Sequence, residues 1–396
     1  DSVAQPFVAN AGDLLVIQGN QSITIAAKNH SDSGLFVGSD LRLRSHNAIA
    51  GDTNYTVGGN IIIEQLDGNP GNFISPNDPI ILANGDVSLG NYTGASLHIL
   101  AGGSVTVGDL EINSTDTGDN AISPNNSNPF LASLANVTLS NQAPTSVVID
   151  GSSQPTLDIR AGINWTLLGG FPGNVDTGNL SPNLDTAATS ADITIGDISI
   201  NAPNGLVLLT NQYQPNGSNP SNKLEIGTLR TDDDFGGRFV GNSGDVIIDY
   251  RGGIEISVRE ASAKPNRIDT SSATGNAGHI KLITFDDITL DNSDIITSAF
   301  GAGQAGDISI ETGSFTADQG ARIRSNRTRQ ADAGDITITA SGAVSINGRN
   351  GREPNNNGTE LVSRVDNGGI GKSGDITIKG DSVSVTESAV LDASLR

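Results

Sequence analysis

The stretch Gly334-Asp335-Ile336-Thr337-Ile338 decides the fold, because its pattern returns through the C-terminal half of the chain. A Gly-Asp pair precedes a short run in which apolar and polar residues alternate. Related copies begin at Gly244, Gly278, Gly306 and Gly374, and successive glycines lie 34, 28, 28 and 40 residues apart. Repeats of this length are typical of solenoids, in which each unit stacks on its neighbours.

Each repeat contains three short alternating runs. After Gly334, the first run is followed by Val344-Ser345-Ile346, and in the preceding repeat a third run covers residues 321–325. Alternation with a period of two places the apolar side chains on one face of a strand. Three such strands bury a core only when further copies stack above and below them. The sequence therefore predicts an all-β fold, a right-handed parallel β-helix (solenoid) with three short strands per coil.

The N-terminal half shows the same pattern with less regularity. Copies such as Gly85-Asp86-Val87-Ser88-Leu89 alternate with longer polar stretches, whose Asn, Pro, Gly and Ser residues predict surface loops. These stretches cover residues 67–79, 116–129, 171–190 and 211–222. We predict an irregular β-helix with long loop insertions over residues 1–222. Regular β-helix repeats over residues 223–396 are expected to continue from it.

Composition excludes several classes of function. The chain has no Cys, so it forms no disulfide and no Cys-based zinc site. Its formal net charge of −22 disfavours nucleic acid, which would be repelled by the acidic surface. No apolar run reaches the roughly 18 residues of a membrane span. The chain begins at Asp1 rather than at Met, so we expect that the native start has been removed or excluded, and with it any signal peptide.

The polar residue after the corner glycine is predicted to have a structural role. These structural repeat corners are Asp245, His279, Asp307, Asp335 and Asp375. Stacked Asp side chains can hydrogen-bond the turn of the next coil, and this is the interpretation we favour. The alternative is structural calcium held between coils by the carboxylates. Beyond this alternative, no cofactor and no metal site is predicted.

A cluster of arginines stands out against the acidic background. Arg322, Arg324, Arg327 and Arg329 lie within eight residues and form a candidate basic contact patch. Such a patch could bind acidic glycans or the acidic face of a neighbouring rod. The alternative interpretation is local charge balance against the abundant Asp residues.

Catalytic chemistry has few candidates. Residues 232–234 and 286–287 are Asp clusters that could supply a general acid and base, or form exposed acidic turns. His98 lies between Leu97 and Ile99 and is expected to face outward from a strand. The G-x-G-x-x-G pattern at residues 301–306 leads into a strand rather than a helix, which disfavours a dinucleotide site. We predict that the chain is not an enzyme and has no catalytic residue.

The repeats resemble a known family. The run Gln304-Ala305-Gly306-Asp307-Ile308-Ser309-Ile310, and the corresponding run at residues 332–338, are similar to the repeats of large cyanobacterial haemagglutinin-like exoproteins. Those proteins belong to the two-partner secretion group, whose relatives include filamentous haemagglutinin. The resemblance implies a β-helical rod, exported through an outer-membrane partner pore and used for surface structure or adhesion.

We therefore predict a structural or adhesive extracellular rod, or filament subunit, on a bacterial surface. Its expected partners are itself, end to end or side by side, and surface glycans of host or neighbouring cells. The alternative is a carbohydrate-binding or carbohydrate-cleaving β-helix with a groove near the N-terminal insertions. Trp165 and the four tyrosines are the main aromatic side chains that could line such a groove.

Overall fold

The computed structural model is almost entirely β and forms two compact units. Unit 1 comprises Asp1–Ile198 and Leu208–Ile226, and unit 2 comprises Ser199–Val207 and Gly227–Arg396. The residues that the structure describes are 1–77, 79–116, 121–141, 145–171, 181, 182, 184, 190–213, 222–232, 240–257, 266–327, 331–348, 358–366 and 369–395.

The strands are short, and most have three to five residues. Those up to residue 226 are β1 (Val8–Ala11), β2 (Leu15–Gly19), β3 (Thr24–Ala26), β4 (Gly34–Val37), β5 (Leu41–Ser45), β6 (Ile49–Asp52), β7 (Asn54–Val57), β8 (Ile61–Glu64), β9 (Phe73–Ser75), β10 (Ile80–Ala83), β11 (Val87–Ser88), β12 (Tyr92–Ala95), β13 (Leu97–Ala101), β14 (Val105–Val107), β15 (Leu110–Ser114), β16 (Asn136–Thr138), β17 (Ser146–Val148), β18 (Thr156–Arg160), β19 (Ile193–Ile195), β20 (Ile198–Ile200), β21 (Leu206–Thr210) and β22 (Leu224–Ile226). The remaining strands are β23 (Leu229–Arg230), β24 (Asp245–Asp249), β25 (Ile254–Ser257), β26 (Arg267–Asp269), β27 (Ile280–Ile283), β28 (Asp287–Asp291), β29 (Asp294–Ile296), β30 (Ile308–Thr312), β31 (Ser314–Asp318), β32 (Arg322–Arg327), β33 (Ile336–Ala340), β34 (Ala343–Asn347), β35 (Glu360–Val365), β36 (Ile376–Lys379), β37 (Ser382–Thr386) and β38 (Val390–Asp392).

Unit 1 contains three parallel sheets, in which neighbouring strands are three apart in chain order except in the pairs β13–β18 and β14–β19. Sheet A has the order β1-β4-β7-β10-β13-β18, sheet B has β2-β5-β8-β11-β14-β19-β22, and sheet C has β3-β6-β9-β12-β15. One strand from each sheet therefore makes one coil. Inward-facing residues of successive coils are in register, as in Leu41 opposite Ile61, and both are buried.

Unit 2 is built in the same way. Sheet D has the order β24-β27-β30-β33-β36, sheet E has β25-β28-β31-β34-β37, and sheet F has β23-β26-β29-β32-β35-β38. Ile308 of β30 pairs with Ile336 of β33, which confirms that the Gly-Asp repeats stack coil upon coil. The prediction of an all-β parallel β-helix with three strands per coil is confirmed.

Aromatic side chains fill part of the interior of unit 1. The ring of Phe73 lies 6.1 Å from that of Tyr55 and 6.0 Å from that of Tyr92, and all three side chains are buried. Phe73 belongs to β9, inside the stretch of residues 67–79 that was predicted to be a surface loop. That prediction was wrong, because one large apolar residue among Asn, Pro and Gly is enough to complete a coil.

The described residues between β15 and β18 form a small helical and antiparallel structure, separate from the parallel sheets. It contains helix α1 (Pro129–Leu134), whose N-terminus is capped by Asn128, and the antiparallel pair β16–β17. All five residues of β13 and all five of β18 are buried, so both faces of sheet A are covered at these strands. Burial of Ala121, Ile122 and Leu131 shows that the described part of this insertion has its own apolar contacts, which a surface loop would not require.

Candidate functional site

The predicted corner residues of unit 2 form a continuous column of hydrogen bonds. The backbone N–H of His279 donates to Oδ1 of Asp245 at 2.8 Å, and the N–H of Asp307 donates to Nδ1 of His279 at 3.0 Å. Asp335 and Asp375 continue the column, each donating its N–H to the preceding Asp side chain at 2.8 Å. We call these five residues the corner ladder. Each of the first four side chains holds the backbone of the next coil.

The glycines that precede the ladder are required by the close approach of successive coils. A Cβ placed on Gly306 would lie 2.0 Å from the carbonyl oxygen of Gly278, and one on Gly334 would lie 2.1 Å from that of Gly306. Both values are far below van der Waals contact, and the neighbour is backbone that cannot rotate away. The Gly-Asp pair therefore combines close approach with a side chain that bonds the next coil.

A column of buried hydroxyl groups lies behind the glycines, and the sequence analysis missed it. Thr270 donates to the carbonyl oxygen of Gly278 at 2.6 Å, and Thr297 donates to that of Gly306 at 2.7 Å. Ser363 donates to the carbonyl of Gly334 at 2.7 Å. These hydroxyls satisfy corner carbonyls away from water. The signal in the sequence is a Thr or Ser shortly after each third run.

Unit 1 contains an equivalent ladder before the strands of sheet B. The N–H of Asn60 donates to Oδ1 of Asp40 at 2.7 Å, and the N–H of Asp86 donates to Oδ1 of Asn60 at 2.8 Å. Ser104 and Asp192 extend it. Asp, Asn and Ser thus alternate in one role, which is to present an oxygen acceptor to the next coil.

His279 is the residue of the corner ladder whose side-chain type changes its charge near neutral pH. Its Nδ1 lies 3.4 Å from Oδ2 of Asp307, and both side chains are about half exposed. When the ring is protonated it can donate to the Asp307 carboxylate instead of accepting the backbone N–H, and this side-chain hydrogen bond raises the pKa of His279 above 6.5; burial opposes this rise, and the charges of Asp245 and Asp307 add to it. The same contact lowers the pKa of Asp307.

Two arginines of the basic contact patch, Arg322 and Arg324, are paired with an acidic residue. Arg322 and Arg324 both approach Glu360 of the next strand in sheet F, with Arg322 Nε 3.6 Å from Oε1 and Arg324 in direct contact with the same oxygen. Arg327 ends β32, and Arg329 lies outside the described residues. The arrangement at Arg322 and Arg324 is that of local charge balance.

The acidic candidate Asp232 forms an ion pair with Arg230 of sheet F. Asp232 receives two hydrogen bonds from Arg230, at 2.8 and 2.6 Å, while residues 233 and 234 lie outside the described part of the chain. Asp269 is the Cα partner of Arg230 on the next strand. Burial, followed by the neighbouring Asp232 charge, raises the pKa of Asp269, although Arg267 and Ser271 oppose this. Sequence analysis did not identify Asp269, because it stands alone in its run.

The second acidic candidate, residues 286–287, shows no comparable pair of neighbouring carboxyl groups across two coils in the described part of the chain. Asp286 accepts a hydrogen bond from the backbone N–H of Gly252 at 3.0 Å, and Asp287 begins β28 at an exposed position. Asp286 therefore caps a backbone group in the neighbouring coil. Nothing in its contacts favours acid–base chemistry over a structural role.

The expectation that His98 faces solvent was wrong. His98 is fully buried beneath the insertion, with Nδ1 3.2 Å from Oδ2 of Asp158. Arg160 donates to both carboxylate oxygens of Asp158, at 2.9 and 2.8 Å, and also to the carbonyl of Leu134 in α1 at 2.7 Å. Burial alone would raise the pKa of Asp158, but Arg160 and His98 lower it below 3.8. This network fastens the insertion to sheet A.

The aromatic residues that could line a sugar-binding groove are in the interior. Trp165 and all four tyrosines are buried, and Trp165 Nε1 donates to the carbonyl of Ala83 at 2.8 Å. Aromatic rings support carbohydrate binding only where their faces are open to the ligand. These five side chains therefore do not provide such a surface.

The described residues contain neither a metal-binding cluster nor a membrane-spanning helix. In this part of the chain, no group of three or more His, Asp or Glu side chains is arranged to hold a metal ion. No helix of the described ranges has the length and apolarity needed to cross a bilayer.

The fold and corner geometry define this chain as a parallel β-helix with stacked polar corners. Comparison with known proteins adds no family to this description, because no family model, curated protein or solved structure matches the chain.

Proposed function

We propose that the chain is a structural or adhesive extracellular rod, or filament subunit, on a bacterial surface. The observation that carries this proposal is the corner ladder. Asp245, His279, Asp307, Asp335 and Asp375 link five successive coils outside the sheets, in addition to the backbone pairing within them. Repeated bonding along one direction favours resistance to bending and stretching, which a surface rod requires.

The outer faces favour repeated weak contacts over a single deep site. In sheet E, the outward residues Thr289, Thr316 and Ser345 come from successive strands and stand in register. A partner that binds one coil would meet similar chemistry on the next, and several weak contacts together give strong binding. Surface glycans and other copies of the chain are the partners we propose.

The proposals on origin and location rest on the resemblance of the repeats. Runs such as residues 304–310 and 332–338 support an exoprotein of the two-partner secretion type, exported through an outer-membrane pore. We propose on this basis that the protein is secreted and remains at or near the cell surface.

A carbohydrate-cleaving function is the second candidate, and one observation favours it. Asp232 follows β23 and Asp269 ends β26, the neighbouring strand of sheet F, and the two differ in environment: Asp232 is held by Arg230, whereas the pKa of Asp269 is raised. Glycoside hydrolysis uses two neighbouring carboxyl groups that lie in different environments. This pair belongs to unit 2, whereas the groove was expected near the N-terminal insertions, which belong to unit 1.

Electron microscopy of the intact protein tests the first proposal. Elongated particles or fibres, together with binding to a panel of immobilised glycans, are the expected result. Compact particles that release reducing sugar from a glycan, and lose this activity in Asp269→Asn, would contradict it and favour the second candidate. Asp287→Asn is the matched control, because Asp287 is an exposed carboxylate outside the pair.

A further inference from the structure

Lys28 in unit 1 meets a carboxamide held by a carboxylate. Its Nζ donates a hydrogen bond to Oδ1 of Asn77 at 2.9 Å. Nδ2 of Asn77 donates to Oδ2 of Asp52 at 3.1 Å, and the backbone N–H of Asn77 donates to Oδ1 of the same carboxylate at 3.1 Å. The hydroxyl of Ser75 also bonds Asp52. An amine, a carboxamide and a carboxylate are thus brought together.

Three successive coils supply these groups. Lys28 follows β3, Asp52 ends β6 and Asn77 follows β9, and these three strands are neighbours in sheet C. Ala26 and Asp52 are Cα partners, so the chain leaves both strands at the same corner. The stacking of the coils therefore holds Lys28 and Asn77 on either side of the Asp52 position.

The site is screened from water on the side of Asp52 and Asn77. Both residues are buried. Burial, and next the charge of Asp52, raises the pKa of the Tyr55 phenol, which indicates that this ring lies near the carboxylate. Exclusion of water favours attack by an amine over hydrolysis of the carboxamide.

We propose that Lys28 and Asn77 are joined by an intramolecular isopeptide bond whose formation is catalysed by Asp52. The ammonium group of Lys28 first releases one proton to solvent, and its Nζ then attacks Cγ of Asn77 and forms a new C–N bond. Asp52 accepts a proton from the attacking nitrogen and passes it to Nδ2, with which it is already in contact. The Cγ–Nδ2 bond then breaks, and ammonia leaves.

The reaction balances without any further reactant. One amine and one carboxamide give one secondary amide and one ammonia, so no oxidant, reductant or cofactor is needed. The nucleophile already contacts the carboxamide through its hydrogen bond to Oδ1 of Asn77. Such preorganisation accounts for large rate gains in intramolecular reactions. The product would close a covalent loop between residues 49 apart.

Intact mass spectrometry of the full-length folded protein tests this proposal. The expected result is a mass about 17 Da below that of the sequence, which corresponds to the lost ammonia. Proteolysis should yield one branched peptide that contains both Lys28 and Asn77. Lys28→Arg keeps the positive charge but should restore the full mass of its own sequence. Lys281→Arg, a lysine on sheet D, should leave the deficit in place.

The outcomes are distinguishable from another loss of ammonia. A succinimide at an Asn-Gly pair such as Asn84-Gly85 also loses ammonia, but it hydrolyses at alkaline pH and persists in Lys28→Arg. Asp52→Asn should retain both reacting residues and show the full mass; if it does not fold, Lys28→Arg still decides. Folded wild-type protein at its full sequence mass after prolonged incubation overturns the proposal, as does a deficit that survives Lys28→Arg.

Discussion

Oδ1 of Asp307 accepts a hydrogen bond from the backbone N–H of Asp335 at 2.8 Å, although the two residues lie 28 positions apart in the sequence. The relationship repeats at the next coil, where Asp335 accepts from Asp375 over 40 positions. The loop lengths differ, yet the bond has the same length. The corner therefore fixes how each coil sits on the one before it.

Removal of one ladder side chain should weaken the corner locally. In Asp307→Ala the N–H of Asp335 loses its acceptor, and we expect a loss of about 1 kcal/mol in the free energy of unfolding, because this half-exposed corner is partly solvated. Asp307→Asn should be nearly neutral, since Asn60 holds the same position in unit 1. Amide hydrogen exchange at Asp335 measures the effect. Unchanged exchange in Asp307→Ala would contradict it.

Addition of a methyl group at the glycine column should be far more costly. In Gly306→Ala the new Cβ would meet the carbonyl of Gly278 at 2.0 Å, so the coils must separate. We expect unfolding of unit 2 to become easier by at least about 2 kcal/mol. Gly12→Ala is the control, because no atom lies within 4 Å of its added Cβ. Chemical denaturation followed by circular dichroism compares the two, and equal effects would show that the close approach is relaxed in solution.

The His279–Asp307 contact should make the stability of unit 2 fall as pH rises. Because folding raises the pKa of His279 above 6.5, the protonated form contributes stability below that pH, and this contribution is lost as pH rises through the raised pKa. The size should be a few tenths of a kcal/mol, since solvent screens the half-exposed pair.

NMR titration of the four histidines checks this expectation. The resonance that disappears in His279→Asn should titrate above 6.5. The N–H of Asp307, which donates to the neutral imidazole, should shift with it. A titration at or below 6.5 would contradict the contact.

Loss of the buried cation should release the insertion of unit 1. In Arg160→Met the Asp158 carboxylate loses its main partner in a fully buried position, and the carbonyl of Leu134 loses its donor. We expect a loss of about 3–5 kcal/mol. The fluorescence of the single Trp165 reports unfolding of unit 1. Arg42→Met, which removes the partly exposed pair with Glu64, should change stability by no more than about 0.5 kcal/mol.

The fold could be predicted because its decisive contacts repeat in the sequence. A glycine such as Gly306 is needed wherever two backbones touch, and an acceptor such as Asp307 is needed wherever a corner N–H must be bonded. Both requirements recur once per coil, so they survive changes of loop length. The alternation of apolar residues then identifies the strands between the corners.

What the sequence did not predict depends on contacts that occur once. Phe73 completes a coil within a polar stretch. Its burial is explained by contacts with the rings of Tyr55 and Tyr92. His98 appears outward on its own strand, but an insertion many residues later covers it. Lys28 and Asn77 meet across three coils, and no local pattern marks either residue.

The number of residues in a coil does not affect the axial spacing between that coil and the next. Asp86 and Ser104 are joined at the corner over 18 residues, whereas His98 and Asp158, on paired strands, lie 60 residues apart. Each coil adds the same axial spacing of about 4.8 Å whether it contains 60 residues or 18, because the backbone hydrogen bonds between paired strands determine this spacing. New segments can therefore be inserted at the edge of a coil without compensating changes in the neighbouring coils. A lineage that needs a new ligand can gain it by insertion, while the axial scaffold remains that of its ancestor.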